Sequence, residues 1–369
     1  MIIQSIELNN FRNYENLQIS FDEGTNILFG DNAQGKTNIL EAAYLSGTTK
    51  SHKGSKDKEM IRFGTNEAHL RTMVLKKGKQ YQIDMHLKHN RSKGIAVNKI
   101  PMKKASELFG ILNIVFFSPE DLNIIKNGPS ERRHFLDAEL CQLDKIYLSD
   151  LSNYNKILNQ RNKLLKDMVY RPELSDTLPV WDMQLIDTGK KIIRRREQFV
   201  KELNEIVHEI HYRISGGREE LFLSYEPSVS ADLLEQELER VKPRDLKQCQ
   251  TSVGPHRDDL LFSIAGVDIR KFGSQGQQRT SALSLKLSEI ELVRKSIHDT
   301  PVLLLDDVLS ELDSNRQNYL LNSICDTQTI ITCTGLDEFI RNRFEINKVF
   351  EVISCLLYTS PSPRDKRQS

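Results

Sequence analysis

Eight residues from Gly30 to Thr37, Gly-Asp-Asn-Ala-Gln-Gly-Lys-Thr, match the pattern G-x-x-x-x-G-K-[ST] in full. The glycines let the backbone curl until its N–H groups face phosphate oxygens. Lys36 brings a point charge to the outer phosphates, and the Thr37 hydroxyl is placed to hold Mg²⁺. Gly30, Asp31, Asn32, Ala33, Gln34, Gly35, Lys36 and Thr37 are therefore read as nucleotide contacts. A second stretch, Pro301-Val302-Leu303-Leu304-Leu305-Asp306-Asp307, is an apolar run ending in two carboxylates. Asp306 is expected to hold the metal together with Thr37, and Asp307 to polarise an attacking water. A strand ending in Asp is common by itself. Paired with the glycine loop, it points to phosphoryl chemistry on ATP. Between the two lies Phe272-Gly273-Ser274-Gln275-Gly276-Gln277-Gln278-Arg279-Thr280, with Ser274 placed 32 residues before Asp306. A serine and glycines at a helix N-terminus make an anion site, although a merely capped helix reads the same way.

These groups need a scaffold. Thr25 to Phe29 is a compact apolar strand running into Gly30, and Thr37 to Leu45 reads as the helix that follows it. A short apolar-rich segment at 2–8 and alternation at 17–21 read as strands, and further strands are expected at 70–75, 81–87, 95–100 and 111–117. From Ser130 the apolar spacing changes to three and four. It continues to Met168, breaks around Pro172 and Pro179, and resumes from Trp181 to Ile214, where Gly216-Gly217 stops it. Two helices of about 35 residues, each about 50 Å long, would form an antiparallel arm. They are too short and irregular for an extended coiled coil.

Composition narrows the classes. The chain has 369 residues, 38% hydrophobic and 28% charged, which is ordinary for a globular protein of two or three lobes. Its five cysteines form no Cys-x-x-Cys pair, which argues against a zinc cluster or a disulfide framework. No apolar run approaches the roughly 20 residues of a membrane helix, and the N-terminus lacks signal-peptide character. A cytoplasmic location is expected. Net charge is +1, yet the segment 50–104 holds 15 Lys and Arg against 4 Asp and Glu. That local excess suggests a DNA surface. Lys50, Lys53, Lys56 and Lys58 are the first candidates, and Lys76, Lys77 and Lys79 the second. Arg194-Arg195-Arg196 reads as a solvated helix face. His256 and Arg257 read equally as structural or as coupling two lobes.

The order of the motifs carries a resemblance. Glycine loop, long insertion, Ser-x-Gly-Gln, Asp-Asp strand and Ser310-Glu311-Leu312-Asp313 resemble the ATP-binding cassette superfamily, with the last stretch at the place of the D-loop. The finer pattern resembles the RecF family of bacterial recombinational-repair proteins, within the same SMC-like superfamily. It comprises Ile6–Tyr14, Gly30–Asn38, Phe117–Leu122, Gly128–Arg133, Phe135–Asp137, Gly254–Asp259, Ser274–Arg279 and Leu305–Asp313, and covers about residues 1–353. The resemblance implies an α/β fold, a cassette-type P-loop head with an inserted helical arm lobe. The head would comprise 1–130 and 241–353, the arm 131–240, and 354–369 would be a disordered or foreign tail.

The resemblance also implies nucleotide contacts from Arg12, Gln275 and Gly276, and catalysis by Lys36, Asp306, Asp307 and Ser274, with Ser274 acting on ATP held by a second copy. The expected partners are DNA, both single-stranded and gapped duplex, a second copy closing with ATP, and RecR, with RecO and RecA in the same pathway. The expected role is a slow, DNA-stimulated ATPase supporting RecA loading, replication-fork recovery and SOS induction. Some positions depart from the family. Lys53 ends Ser51-His52-Lys53 where arginine is usual, and Thr332-Cys333-Thr334 holds no switch histidine. Ser118, Glu120 or Asp121 stands where many cassette proteins carry a γ-phosphate-sensing Gln. Asp307 replaces a common Glu and suggests slow hydrolysis. The alternatives are another cassette ATPase and a non-enzymatic DNA-binding scaffold.

Overall fold

The computed structural model describes residues 1–324, 326–335 and 346–360. In chain order, strands β1 (Ile2–Phe11), β2 (Tyr14–Ser20) and β3 (Thr25–Phe29) lead to helix α1 (Lys36–Thr48). Next come β4 (Glu67–Lys76), β5 (Lys79–Lys88), β6 (Arg91–Val97), β7 (Ile100–Pro101) and β8 (Ile114–Phe117). Helices α2 (Leu122–Lys126), α3 (Pro129–Leu143), α4 (Lys145–Asp167) and α5 (Leu178–Ile214) follow. Then come β9 (Leu221–Glu226), α6 (Leu234–Gln248), β10 (Asp259–Ile264), β11 (Val267–Asp268), α7 (Ile269–Phe272) and α8 (Gln275–Ile297). The chain closes with β12 (Val302–Asp306), α9 (Ser314–Ser323), β13 (Thr329–Cys333), β14 (Ile346–Ile353) and β15 (Leu356–Ser360).

The chain divides into one unit of residues 1–121 with 289–369 and another of 122–288. The expected returns at 131 and 241 therefore move to 122 and 289. The physical reason for the second shift is a separate sheet, β11-β10-β9. Its β10 pairs antiparallel with β9, Asp259 opposite Glu226, and so ties the segment after 241 to the arm.

The first unit holds two sheets. One is antiparallel in the order β2-β1-β4-β5-β6-β7, and the other runs β15-β14-β3-β13-β12-β8. In the second, β14, β3, β13, β12 and β8 are parallel. Strands β13, β12 and β8 are buried along their length and read as apolar runs, as central parallel strands do. Helix α1 packs against strands of both sheets, with Ile39, Leu40, Ala42, Ala43 and Leu45 fully buried. A helix apolar on several faces belongs inside a protein rather than on its surface. Strand β13 lies between β3, which feeds the glycine loop, and β12, which carries the carboxylates.

In the second unit the expected first long helix is two helices. Asp144 leaves helical geometry at φ −133° and ψ 104°, and its side chain accepts from the N–H groups of Ile146 and Tyr147. It thus ends α3 and caps α4. The second long helix, α5, runs unbroken for 37 residues. Arg161 pairs with Asp182 at one end of the α4–α5 pair, and Arg195 with Asp144 at the other, so the helices are antiparallel.

Two further expectations need correction. Of the arginine triplet, Arg196 is buried at 2% exposure, so the triplet is not a uniformly solvated face. It contacts Asp137, Tyr147 and the Pro255 carbonyl. Residues beyond Ser354 were expected not to pack. The structure places 356–360 in β15, with Leu356 opposite Ile353 and Tyr358 opposite Glu351. The short run Leu356-Leu357-Tyr358 beside an open sheet edge suffices for pairing. Residues 361–369 lie outside the described residues. Cys141 and Cys333 are buried, Cys249 and Cys355 half-buried, and Cys325 lies outside the described residues.

Candidate nucleotide site

β3 ends at Phe29, and the chain turns through Gly30 at φ +145° and Gly35 at φ +103° before α1 begins. A Cβ on Gly30 would lie 2.4 Å from the Val352 carbonyl oxygen, and one on Gly35 would lie 2.8 Å from Tyr14 Oη. Only glycine fits these two positions. The loop delivers α1 N-terminus first into a cavity of about 470 Å³, where the helix's unpaired N–H groups favour an anion.

Lys36 is 8% exposed. Its Nζ donates to the carbonyls of Gly30 at 2.5 Å and Asp31 at 2.7 Å. Burial lowers its pKa, and the nearby Cys333, Asp307, Asp306 and Asp31 work against that shift. Thr37 Oγ1 donates to Asp306 Oδ1 at 2.9 Å, and Thr332 Oγ1 donates to the same oxygen at 2.7 Å. Strand register explains the second bond, because Asp306 on β12 is paired with Thr332 on β13. Asp307 stands at φ +54°, a conformation that costs free energy for a non-glycine residue. Its N–H donates to the carbonyl and hydroxyl oxygens of Thr332 at 3.2 and 3.1 Å.

The remaining wall adds Asn13 and His52, to which no role was assigned from the sequence, and gathers several residues named there for other reasons. Asn13, His52, Lys53, Ser118, Glu120 and Thr332 line the cavity with the glycine loop and the two aspartates. The His52 ring stacks on Phe116, with centroids 4.1 Å apart at 28°, and Tyr44 meets its edge at 6.0 Å. Burial is the largest cause of its pKa falling to about 4, so the imidazole is neutral. Of the three residues expected at the missing sensor, Ser118 and Glu120 reach the cavity. Asp121 is turned to the Ser118 N–H at 2.7 Å.

Arg12 does not line this cavity. Its Nε and Nη2 clasp Glu41 at 2.7 and 2.6 Å, and it also donates to Ser55 Oγ and the Glu59 carbonyl. Glu41 is fully buried, and a buried carboxylate requires a charged partner. Burial pushes the Glu41 pKa up. Hydrogen bonds from Arg12 and Ser51, with the charge of Arg12, outweigh that and leave it below the usual value.

Ser274, Gln275 and Gly276 are exposed at the start of α8. The Ser274 hydroxyl accepts from the Gln277 N–H at 3.2 Å, while Gln277 Oε1 accepts from the Ser274 N–H at 2.9 Å. Of the basic candidates, Lys50, Lys53, Lys56, Lys58, Lys77 and Lys79 are exposed, and Lys53 also borders the nucleotide cavity. Lys76 donates to the Gly110 carbonyl and Lys77 to that of Ile297 at 3.4 Å, so these two are partly engaged in the fold. His256 is structural in its contacts, meeting Tyr154 Oη at 2.7 Å and the Thr251 carbonyl at 3.1 Å.

The family model described as RecF/RecN/SMC N terminal domain matches residues 2–353. The DNA replication and repair protein RecF of Agathobacter rectalis is 74% identical over 353 residues, 96% of this chain and 98% of the relative. The chain belongs to the RecF family. RecF of Lachnospira eligens is 63% identical over 95% of this chain and 98% of its own length. A solved structure of the recombination mediator protein RecF-ATP in the RecFOR pathway superposes with a TM-score of 0.91. It is 37% identical, with 97% of each chain covered. The Smc head domain of Pyrococcus furiosus, bound to part of ScpA, shares the fold with a TM-score of 0.58 at 18% identity, covering 99% of this chain and 98% of its own. The mixed α/β cassette-type head read from the motifs is thus the fold of a RecF family member. The match also stops at residue 353, where the motif resemblance ends.

Proposed function

We propose that this chain is an ATP-driven switch on DNA, in which two copies close over two ATP molecules, grip DNA at single-strand gaps, and open after slow hydrolysis. As a RecF family member it is an ATP-binding protein of DNA replication and repair. The observation that carries the reading is the convergence of Thr37 Oγ1 and Asp306 Oδ1, 2.9 Å apart, beside the glycine loop.

Two hard oxygens at one point suit Mg²⁺, which takes one or two protein ligands and completes its shell with phosphate and water. Among the described residues no group of three or more His, Cys, Asp or Glu side chains could hold a metal unaided. When bound with nucleotide, Mg²⁺ would neutralise charge on the outer phosphate oxygens. Lys36 would exchange its bonds to the Gly30 and Asp31 carbonyls for phosphate oxygens. Asp307 would orient the attacking water and accept its proton. Its side chain is one methylene shorter than the glutamate of many relatives, which favours slow turnover. Ser274, Gln275 and Gly276, exposed at the start of α8, would meet the γ-phosphate held by the second copy.

Lys50, Lys56 and Lys58, with Lys79 beyond them, would neutralise DNA phosphates, so affinity would fall steeply with salt. Work with RecR and RecO to place RecA on gapped DNA, support of fork recovery and SOS induction, and a cytoplasmic location belong to the same proposal. No helix among the described residues is long and apolar enough to cross a membrane.

Sedimentation with Mg²⁺, with and without ATP, and with gapped duplex DNA tests it. The expected result is a dimer that forms only with ATP and then retains DNA. A chain that stays monomeric with ATP and DNA while hydrolysing ATP would overturn the clamp.

A further inference from the structure

We infer that His52 reads the terminal phosphate of the nucleotide, donating a hydrogen bond from Nε2 into the cavity that holds the triphosphate. The inference rests on the nucleotide-site reading and assigns the group that distinguishes ATP from ADP there.

Three observations place it. First, His52 lines the same cavity as Lys36, Thr37, Asp306 and Asp307. Second, its ring is fixed. It is stacked on Phe116, itself 7% exposed on β8, and bounded at its edge by Tyr44. A rigid ring holds a donor in place without losing rotamer freedom on binding. Third, the two ring nitrogens differ. Nδ1 is buried with no hydrogen-bond partner among the described residues, while the residue as a whole borders the cavity. A buried N–H without an acceptor is rarer than a buried lone pair without a donor. The proton of the neutral ring therefore belongs on Nε2, the nitrogen left for the cavity.

Two other polar groups of the wall are committed elsewhere. The Thr332 hydroxyl is held on Asp306, and the Ser118 backbone is turned to Asp121. Lys36 carries charge to any phosphate, so it cannot by itself separate a triphosphate from a diphosphate. A neutral donor from a fixed ring adds one bond that exists only when the terminal phosphate is present.

The test uses the full chain with Mg²⁺. His52→Phe keeps a ring against Phe116 and removes the donor. His52→Gln removes the ring and restores an N–H at similar reach. Affinities for ATP and ADP are measured by competition with a fluorescent nucleotide, together with kcat and KM for ATP. The expected result for His52→Phe is unchanged ADP affinity and a loss of ATP affinity relative to ADP of about tenfold or more, as for one hydrogen bond to a charged group. Lowered kcat should accompany it, and His52→Gln should recover part of the preference. If His52→Phe keeps the ATP:ADP ratio and kcat of the parent, the inference fails. Equal weakening of both nucleotides would show a structural role and also overturn it. If the unaltered chain binds neither nucleotide, the nucleotide-site reading falls first and takes this inference with it.

Discussion

Arg12→Ala separates two roles for one arginine. The resemblance placed Arg12 among nucleotide contacts, whereas the structure spends its guanidinium on Glu41, whose side chain is 0% exposed. Removing one partner of a buried ion pair strands the other, at a cost of about 3–5 kcal/mol. The unit that holds the pair spans residues 1–121 and 289–369. For domains of 150–250 residues, about 1 kcal/mol moves Tm by roughly 2–4 °C, so the variant should melt about 6–20 °C lower. The loss should depend on pH. In the parent, Glu41 titrates below its unfolded value. It therefore contributes stability above that value and loses it as pH falls through the folded pKa. In the variant an unpaired buried carboxyl titrates above its unfolded value, so its penalty is full near neutrality and fades as pH falls toward the ordinary glutamate range. Melting followed by circular dichroism between pH 7.5 and 4.5 should show the gap between parent and variant narrowing on acidification. Glu41→Leu added to Arg12→Ala should recover part of the loss at pH 7.5, because no charge is then stranded. An Arg12→Ala protein that melts like the parent but binds ATP poorly would refute this account and return Arg12 to the nucleotide.

Three further outcomes are expected. Lys36→Ala should abolish ATP binding in a fluorescence titration while leaving the circular dichroism spectrum unchanged, since among the described residues its ammonium hydrogen-bonds to the Gly30 and Asp31 loop carbonyls. Asp307→Asn should lower ATP turnover by about 10²-fold or more and leave ATP-induced dimerisation intact in sedimentation. Arg161→Met should destabilise the arm by about 3–5 kcal/mol in urea, because Asp182 and the fully buried Asp245 both lose their charged partner.

The strand, loop and helix around Gly30–Thr37 were legible because their pattern is local. Glycine positions and the apolar run of β3 carry the information within a dozen residues. The aspartate pair was equally plain. Thr332 was noticed only for lacking a histidine, and its bond to Asp306 depends on the register of two strands far apart in sequence. Arg12 and Glu41 are 29 residues apart, and nothing in their spacing announces an ion pair. Arg196 lies in a run of three basic residues that periodicity alone assigns to solvent, and it is buried by acceptors from three distant segments. His52 stood inside a quoted motif, but its meaning came from a ring on another strand. The break at Asp144 had a readable signal, an Asp two and three residues ahead of the N–H groups it caps, which the unbroken apolar spacing masked.

The central sheet also sets a timetable for synthesis. β3 is flanked by β13 and β14, both contributed by the far end of the chain. At about 5–20 residues per second, the roughly 300 residues between β3 and β13 delay its first neighbour by about 15–60 seconds. Over that interval the apolar strand Thr25–Phe29 emerges with both edges unpaired. A ribosome that stops short of Thr329 leaves a chain with its glycine loop but no partner for it. The nucleotide site is thus among the last features completed, and only a chain translated through both β12 and β13 can bring Asp306 and Thr332 to Thr37.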